Sequence, residues 1–313
     1  MAPTPGTAPP GGSILVRMSP RSDSSAAPHP GSPAGRSVHL GISGELARIL
    51  PDELEGGHVL EIAGHVQSHV DLARPRHIRY EYLRRMANVL DALAPPGLPI
   101  DVLHLGAGAL TLPRYLQATR PGSDQTVVDL DRELVSFVAA ELPLPEGTQL
   151  TSVVADARDA VLAMAGRTFD AVILDIDAGV DTAPHLTGRD FYSRLLGLLA
   201  PAGVLLVNVG DETGLHFLAD QARELEAACL DARLTGTWTL ADATMLERLA
   251  YGNAVLAAGG LLGGRLSGDG RTWVGAVVGK DELTARLTAA GPHPAAVLDP
   301  AGTAGLVRRT GLA

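Results

Sequence analysis

Between residues 99 and 211 the chain alternates short, nearly all-apolar runs with segments of helical period, and this alternation limits the fold more than any other feature. Strands are expected over 100–105, 126–130, 150–154, 169–174 and 203–209, and helices over 110–118, 132–141, 157–165 and 188–199. Runs without a polar face are buried on both sides, which is the condition of a parallel sheet covered by helices. Right-handed crossovers then follow from the strand twist. The most apolar stretch, 195–209, is interrupted by Pro201-Ala202-Gly203 and reads as a helix end, a turn and a buried strand. Beyond Asp211, a helix over 214–229 and strands over 234–240 and 253–257 complete the sheet. The expected class is α/β, with a doubly wound sheet.

The flanks differ in composition. Residues 1–37 contain 8 Pro, 5 Gly and 7 Ser and no aromatic residue, too little apolar surface to offset the entropy of ordering, so disorder is expected there. Ile14-Leu15-Val16 is too short for a signal-peptide core, and no run reaches the length of a membrane span. From Val38 to Leu72 the pattern is short and strand-like, with turns at Gly56-Gly57 and Gly64, and an amphipathic helix over 77–93 ends at Pro95-Pro96-Gly97. The tail from Gly259 is Gly-rich and carries a helix near 281–290. Four units are expected: a disordered tail over 1–37, a small β-hairpin subdomain over 38–75, a Rossmann-like nucleoside-binding domain over 76–258, and an extension over 259–313.

Net charge excludes one class of partner. With 25 basic and 35 acidic residues the chain carries a formal charge of -10, against the basic face that nucleic-acid phosphates require. The lone cysteine, Cys229, cannot form an internal disulfide, which points to a reducing, cytoplasmic setting, and its Ala-rich helical surroundings make it a core thiol. His104 falls inside a strand and reads as a core residue, and His65 and His69 lie in a strand-like stretch without metal-ligand spacing, so no metal is expected.

The local chemistry gathers at the ends of the expected strands. Asp101-Val102-Leu103-His104-Leu105-Gly106-Ala107-Gly108 runs a buried strand into a Gly-x-Gly turn before a helix, where glycines permit a tight turn and close approach of a ligand. Asp129 ends the next strand, where an acid hydrogen-bonds ribose hydroxyls in nucleotide-binding α/β folds; an acid here, or Asp131, also serves to cap a helix. Asp156 follows the third strand, with the same alternative of a helix cap, and Asp175 follows the fourth. Strand carboxyl ends line the ligand crevice of such sheets, so Gly106, Asp129, Asp156 and Asp175 should converge on one cleft. Asp177 and Asp181 add acids beside it, in keeping with a cationic substrate, a proton acceptor or a solvated acidic loop.

Taken together, several stretches resemble the spermidine synthases, or polyamine aminopropyltransferases, and above all their divergent spermidine synthase-like branch. They are Gln67 to Leu72, His104 to Tyr115, Val128-Asp129-Leu130-Asp131, Asp156-Ala157-Arg158, Phe169 to Asp175, Leu186 to Tyr192, and Leu199 to Val204. The resemblance implies a Rossmann-like methyltransferase-type core with a small N-terminal β-subdomain, usually dimeric. It also implies decarboxylated S-adenosylmethionine as donor and methylthioadenosine as by-product. By position, Asp129 would hold the ribose, Asp156 and Ala157 would contact adenine, Gln67 would touch the nucleoside, and Gly106 and Gly108 would form the loop around it. Asp175 falls where the family has its catalytic aspartate, with Asp177 beside it, and Tyr80 matches the tyrosine of the family's Tyr-His-Glu stretch. The chain departs from the pattern at Ala109, where the family carries an Asp for the donor's amine, at Asp175-Ile176-Asp177-Ala178 in place of Asp-Ser-Ser-Asp, and at Tyr80-Glu81-Tyr82. Asp177 or Glu81 is the available substitute for the missing acid.

Aminopropyl transfer to an amine is the activity so implied, with a small-molecule amine as partner, neither nucleic acid nor membrane, and a homodimer as the assembly. An S-adenosylmethionine-dependent methyltransferase is the alternative, since it needs no acid for an aminopropyl amine. A nucleoside-binding protein without turnover is the second alternative. A nicotinamide dehydrogenase fits less well, because the third glycine is missing and a β-subdomain precedes the first Rossmann strand.

Overall fold

A computed structural model of the chain describes residues 14–18, 36–176, 184–262, 265–266, 273–274 and 279–311. A strand, β1 (Ile14–Met18), is followed by β2 (Arg36–His39), β3 (Leu46–Pro51), β4 (His58–Ile62), β5 (His65–Val70) and helix α1 (Glu81–Leu93). The alternating core comprises β6 (Asp101–Leu105), α2 (Thr111–Thr119), β7 (Asp124–Asp129), α3 (Arg132–Glu141), β8 (Gln149–Val154), α4 (Ala157–Ala163), β9 (Phe169–Leu174), α5 (Arg189–Gly197) and β10 (Leu199–Asp211). Then come α6 (His216–Asp231), β11 (Trp238–Asp242), α7 (Ala243–Arg248) and β12 (Gly252–Gly259). A short ladder, β13 (Arg265–Leu266) with β14 (Trp273–Val274), precedes α8 (Lys280–Ala290), β15 (Ala295–Leu298) and α9 (Pro300–Arg309).

The main sheet has the order β1-β8-β7-β6-β9-β10-β12-β11-β15. Pairings among β8, β7, β6, β9 and β10 are parallel, and those from β10 through β12 and β11 to β15 are antiparallel. Strand order reverses at β6, which lies between β7 and β9, and the crevice of a doubly wound sheet opens at such a reversal. Side chains alternate across the sheet with period two. Val102, Ala171, Ile173, Val204, Leu206 and Val255 pack on the α1 and α2 side with Met86, Leu90 and Leu116. Leu103, Leu105, Val172, Leu174, Leu205 and Val207 pack on the other side with residues of α4, α5 and α6 such as Val161, Phe191 and Leu225. In α1 the buried residues Leu83, Met86, Ala87 and Leu90 recur at i, i+3, i+4 and i+7, the stripe of an amphipathic helix.

Buried arginines tie elements together. Arg120 donates to the carbonyls of Leu90, Asp91 and Ala94, closing the C-terminal end of α1 that no glycine caps. Asp156, Asp242 and Asp299 cap α4, α7 and α9, with Pro300 at the first position of α9.

The N-terminal region is larger than a hairpin. Strands β2 to β5 form a four-stranded antiparallel meander in sequence order, and Ala63 and Gly64, both at positive φ, make the two-residue turn between β4 and β5. Its inner face, with Ala47, Ile49, Leu60 and Val70, packs on Leu134, Val135 and Val138 of α3 and on Leu110 of the glycine loop. Two further differences from the sequence reading concern the ends. Residues 14–18, within the stretch expected to be disordered, pair antiparallel with β8 from Ile14↔Val154 to Met18↔Leu150. An open sheet edge offers unpaired backbone groups, and apolar Ile14-Leu15-Val16 satisfies them without needing a core of its own. The rest of 1–35 lies outside the described residues. At the other end, β15 pairs with β11 as part of the main sheet and Leu306 of α9 is buried against the α6 side, so the sheet continues past residue 258.

Truncation after Ala290 should therefore lower the stability of the whole domain. Losing the burial of Leu306 alone is expected to cost about 1.5–3 kcal/mol, the worth of one fully buried aliphatic side chain, and loss of the β15 ladder adds to it. Urea unfolding followed by circular dichroism measures it, and an unchanged midpoint would show that these elements lie outside the cooperative unit.

Candidate functional site

A cavity of about 1030 Å³ opens between the N-terminal meander and the carboxyl ends of the main-sheet strands. Gly106, Gly108, Asp129, Asp156, Ala157 and Asp175 line it together with Gln67 from β5 and Tyr80 before α1. The convergence expected from the sequence is thus present in space. Asp177 and Asp181 lie outside the described residues.

The glycine loop is shaped by steric necessity. Gly106 has φ +100°, and a Cβ there would sit 2.2 Å from the carbonyl oxygen of Asp175. Gly108 has φ +48°, and a Cβ there would come 2.8 Å from Ser68 Oγ. No other residue type fits either position without displacing backbone or the meander. Ser68 Oγ accepts from Ala109 N at 3.2 Å, and Arg114 Nε donates to Ala109 O at 3.3 Å, so the loop is held from both sides.

Asp129 ends β7 one strand away. Its Oδ2 accepts from Ala107 N at 3.0 Å and its Oδ1 from Asp131 N at 2.9 Å, which aims the carboxylate across the mouth of the loop. Burial pushes its pKa up, and these backbone N–H groups oppose the shift. With these bonds in place the carboxylate lines the cavity.

Asp156 serves as the cap that the sequence offered as an alternative. Its Oδ1 accepts from Arg158 N at 2.8 Å, and Oδ2 lies 2.8 Å from the His185 ring nitrogen. Burial raises its pKa, but His185 and the helix N–H groups outweigh this and hold the carboxyl below its ordinary value. It still lines the cavity beside Ala157.

Asp175 follows β9 at the cavity floor. Burial pushes its pKa up to about 6, against the pull of hydrogen bonds from Asn208 and Tyr82. Asn208 Nδ2 donates to Oδ1 at 2.9 Å, and the Tyr82 hydroxyl lies 3.5 Å from Oδ2. Neither partner is among the site residues expected from the sequence. Tyr80 occupies the extended N-cap position of α1, with its ring 6.4 Å from that of Tyr82, and it is Tyr82, in the first turn, that reaches the acid. Asn208 did leave a signal, as the one amide in the apolar run 204–209.

At the departures from the family pattern, Ala109 is fully buried and does not line the cavity. Glu81 does, and it pairs with buried Arg85 at 3.0 Å. Tyr251, Gly252 and Asn253 also face the cavity. His104 and Cys229 are core residues: His104 pairs with Gln125 and burial pushes its pKa down to about 4, while burial pushes the Cys229 thiol up to about 12. Among the described residues no cluster of His, Cys, Asp and Glu could hold a metal ion, and no helix is long and apolar enough to cross a membrane.

A carboxyl whose folded pKa lies above its unfolded value loses stability as pH rises from the unfolded to the folded pKa. For Asp175 that window is from about 4 to about 6. Asp175→Asn should be more stable than wild type above pH 6, by about 1–3 kcal/mol, with the difference vanishing near pH 4. Thermal unfolding of both proteins across this range tests the sign; a variant less stable at pH 8 contradicts it.

Comparison with known proteins bears on the fold and on sequence similarity. No family model matches the chain. It is 28% identical over 144 residues to the polyamine aminopropyltransferase of Chromobacterium violaceum, covering 46% of this chain and 54% of that protein. It is 24% identical over 156 residues to the enzyme of that name from Neisseria meningitidis, covering 49% and 58%. The chain spans about half the length of these curated relatives. In fold it matches the crystal structure of a probable spermidine synthase from Corynebacterium glutamicum with a TM-score of 0.68 and 24% identity, over 88% of this chain and 94% of that one. The chain is thus similar in sequence, over about half its length, to polyamine aminopropyltransferases, and over most of its length it has the fold of a probable spermidine synthase.

Proposed function

We propose that the protein is a transferase that moves an aminopropyl group from decarboxylated S-adenosylmethionine to an amine acceptor. The observation that carries this reading is Asp175, a carboxylate at the floor of the cleft, with Asp129 and the glycine loop on the neighbouring strands. Counting these two, the lining carries seven carboxylates and one guanidinium among the described residues, a field that suits a sulfonium donor and an ammonium acceptor. In this reading Asp129 takes the ribose hydroxyls, Gly106 and Gly108 let the nucleoside approach the backbone, Gln67, Asp156 and Ala157 border its base, and Tyr80 lines the acceptor side. Asp177 stays in the proposal on sequence position alone. A homodimer and a cytoplasmic site of action, implied by the resemblance, belong to the same proposal.

The reaction needs a neutral amine, yet an alkylammonium has a pKa near about 10. Asp175 accepts the proton, which frees the nitrogen lone pair. The amine attacks the carbon next to the sulfonium, a C–N bond forms, and the C–S bond breaks with its electrons passing to sulfur. The sulfonium leaves as a neutral thioether. Positioning of the two reactants supplies much of the remaining rate. Buried Ala109 favours a second reading, because the loop supplies no acid for the donor's amine: methyl transfer from S-adenosylmethionine in the same cleft.

Mass spectrometry of protein incubated with either donor and a pool of amines separates the readings. Methylthioadenosine is the expected product; S-adenosylhomocysteine supports methyl transfer, and no turnover with either donor supports a binding protein.

Calorimetric titration with methylthioadenosine should show Asp129→Ala binding about 1.5–3 kcal/mol more weakly, the worth of a charge-assisted hydrogen bond. Equal affinities would remove Asp129 from the nucleoside site.

Asp175→Asn should cut turnover by roughly 10²–10⁴-fold with nucleoside affinity little changed. The wild-type kcat/KM should fall as pH drops below about 6, because only the ionised carboxylate takes a proton. Near-wild-type turnover in the variant would rule out the role.

A further inference from the structure

The two oxygens of Asp175 stand in unequal surroundings. Oδ1 accepts from Asn208 at 2.9 Å, while among the described residues Oδ2 meets only the Tyr82 hydroxyl, at a long 3.5 Å. Asn208 is nearly buried, and its amide could in principle face the carboxylate either way round. Asn253 favours one of these orientations. Its Nδ2 lies 3.1 Å from Asn208 Oδ1, which occupies the carbonyl of Asn208 and leaves the NH2 for Asp175. An ionised carboxylate only accepts, so donation runs in one direction along the chain, from Asn253 to Asn208 to Asp175.

Strand register builds this line. Val207 pairs with Leu174 in the parallel β9–β10 ladder, so Asn208 falls beside Asp175. Gly210 pairs with Asn253 in the antiparallel β10–β12 ladder, so Asn253 stands diagonal to Asn208 on the same sheet face.

We propose that Asn208 and Asn253 form a positioning relay that keeps Asp175 Oδ1 as a fixed acceptor and leaves Oδ2 as the oxygen that takes the proton from the amine. This rests on the transfer reading for its purpose, but the relay itself is a property of the ligand-free protein. In the step it serves, the N–H bond of the ammonium breaks, its electron pair stays on nitrogen, and the proton passes to Oδ2; nothing is oxidised or reduced. Asp175 is the catalytic residue, and both asparagines act through it.

Among the described residues, the groups that face Asp175 are Tyr82 on α1 and Asn208 on β10. Tyr80, Glu81 and Arg85 of the α1 region, Glu45 before β3, Asp129 at the end of β7, Asp131 before α3, Asp156 after β8 and Asp242 at the end of β11 line the same cavity without a hydrogen bond to it. Removing the Asn208 donor leaves burial opposed by Tyr82 alone. Removing Asn253 frees the Asn208 amide to turn its carbonyl toward Asp175, which favours the protonated acid. Both changes move the titration upward.

The test is an NMR titration of ligand-free protein labelled with carboxyl-13C aspartate, with the Asp175 resonance assigned by its loss in Asp175→Asn. Asn208→Ala should raise the Asp175 midpoint by about one pH unit, and Asn253→Ala by about half a unit. Asn253 is exposed, so its alanine variant keeps the core intact and decides the matter if Asn208→Ala does not fold. A folded Asn253→Ala protein that titrates at or below the wild-type midpoint overturns the relay. Absence of turnover with any amine would sink the transfer reading and leave this titration standing, so the two failures are distinguishable.

Discussion

Two backbones meet in the site with no room for a side chain: a Cβ on Gly106 would lie 2.2 Å from the carbonyl oxygen of Asp175. Parallel pairing of β6 with β9 makes the approach, through Leu105↔Leu174 and the bond from Asp175 N to Leu105 O at 2.9 Å. Because nothing larger than hydrogen fits between them, the loop that meets a nucleoside and the strand end that carries the acid share one surface. Asp129 joins the same unit through Ala107 N, and the meander joins it through Ser68. The cleft is therefore a single rigid seam at the strand reversal, with walls contributed from both sides.

Electrostatics makes that seam costly and useful at once. A buried carboxylate is disfavoured in its charged form, and Asp175 carries that penalty with neutral partners instead of a neighbouring cation. Among the described residues the one guanidinium on the lining, Arg85, is paired with Glu81. An incoming cation finds acids that are not already neutralised, which is the condition for strong attraction in a desolvated site.

Much of this was legible in the sequence, for reasons that differ by element. Strands β6 to β10 are apolar runs bounded by polar turns, and the acids at their ends follow from strand length alone. Asp156 was ambiguous because capping and ligand contact ask for the same side chain, and the structure has it capping α4 at the cavity wall. At the two tyrosines one residue decides the geometry: α1 begins at Glu81, so Tyr80 is still extended and lines the cavity, while Tyr82 in the first turn reaches Asp175. Sequence periodicity places a helix end only to within a few residues. Strand β15 and helix α9 escaped notice because Ala-Ala-Val-Leu is shorter than most strands and α9 contains Gly302 and Gly305. Their stability comes from the Asp299 cap and from packing on α6 and β11, which no local pattern announces.

The residues just before β15 have a second set of attachments. Arg85 donates to Pro292 O at 3.2 Å, and buried Asn88 donates to Gly291 O at 2.7 Å, both from α1. The helix that carries Tyr82 into the cleft is thus seated on a loop more than two hundred residues away in sequence. Substitutions around Gly291 and Pro292, or a partner that docks near the C-terminal end, reach the acid at the cleft floor through the seating of one helix. Among the described residues of the last forty none lines the cavity, yet the seating of α1 runs through Gly291 and Pro292.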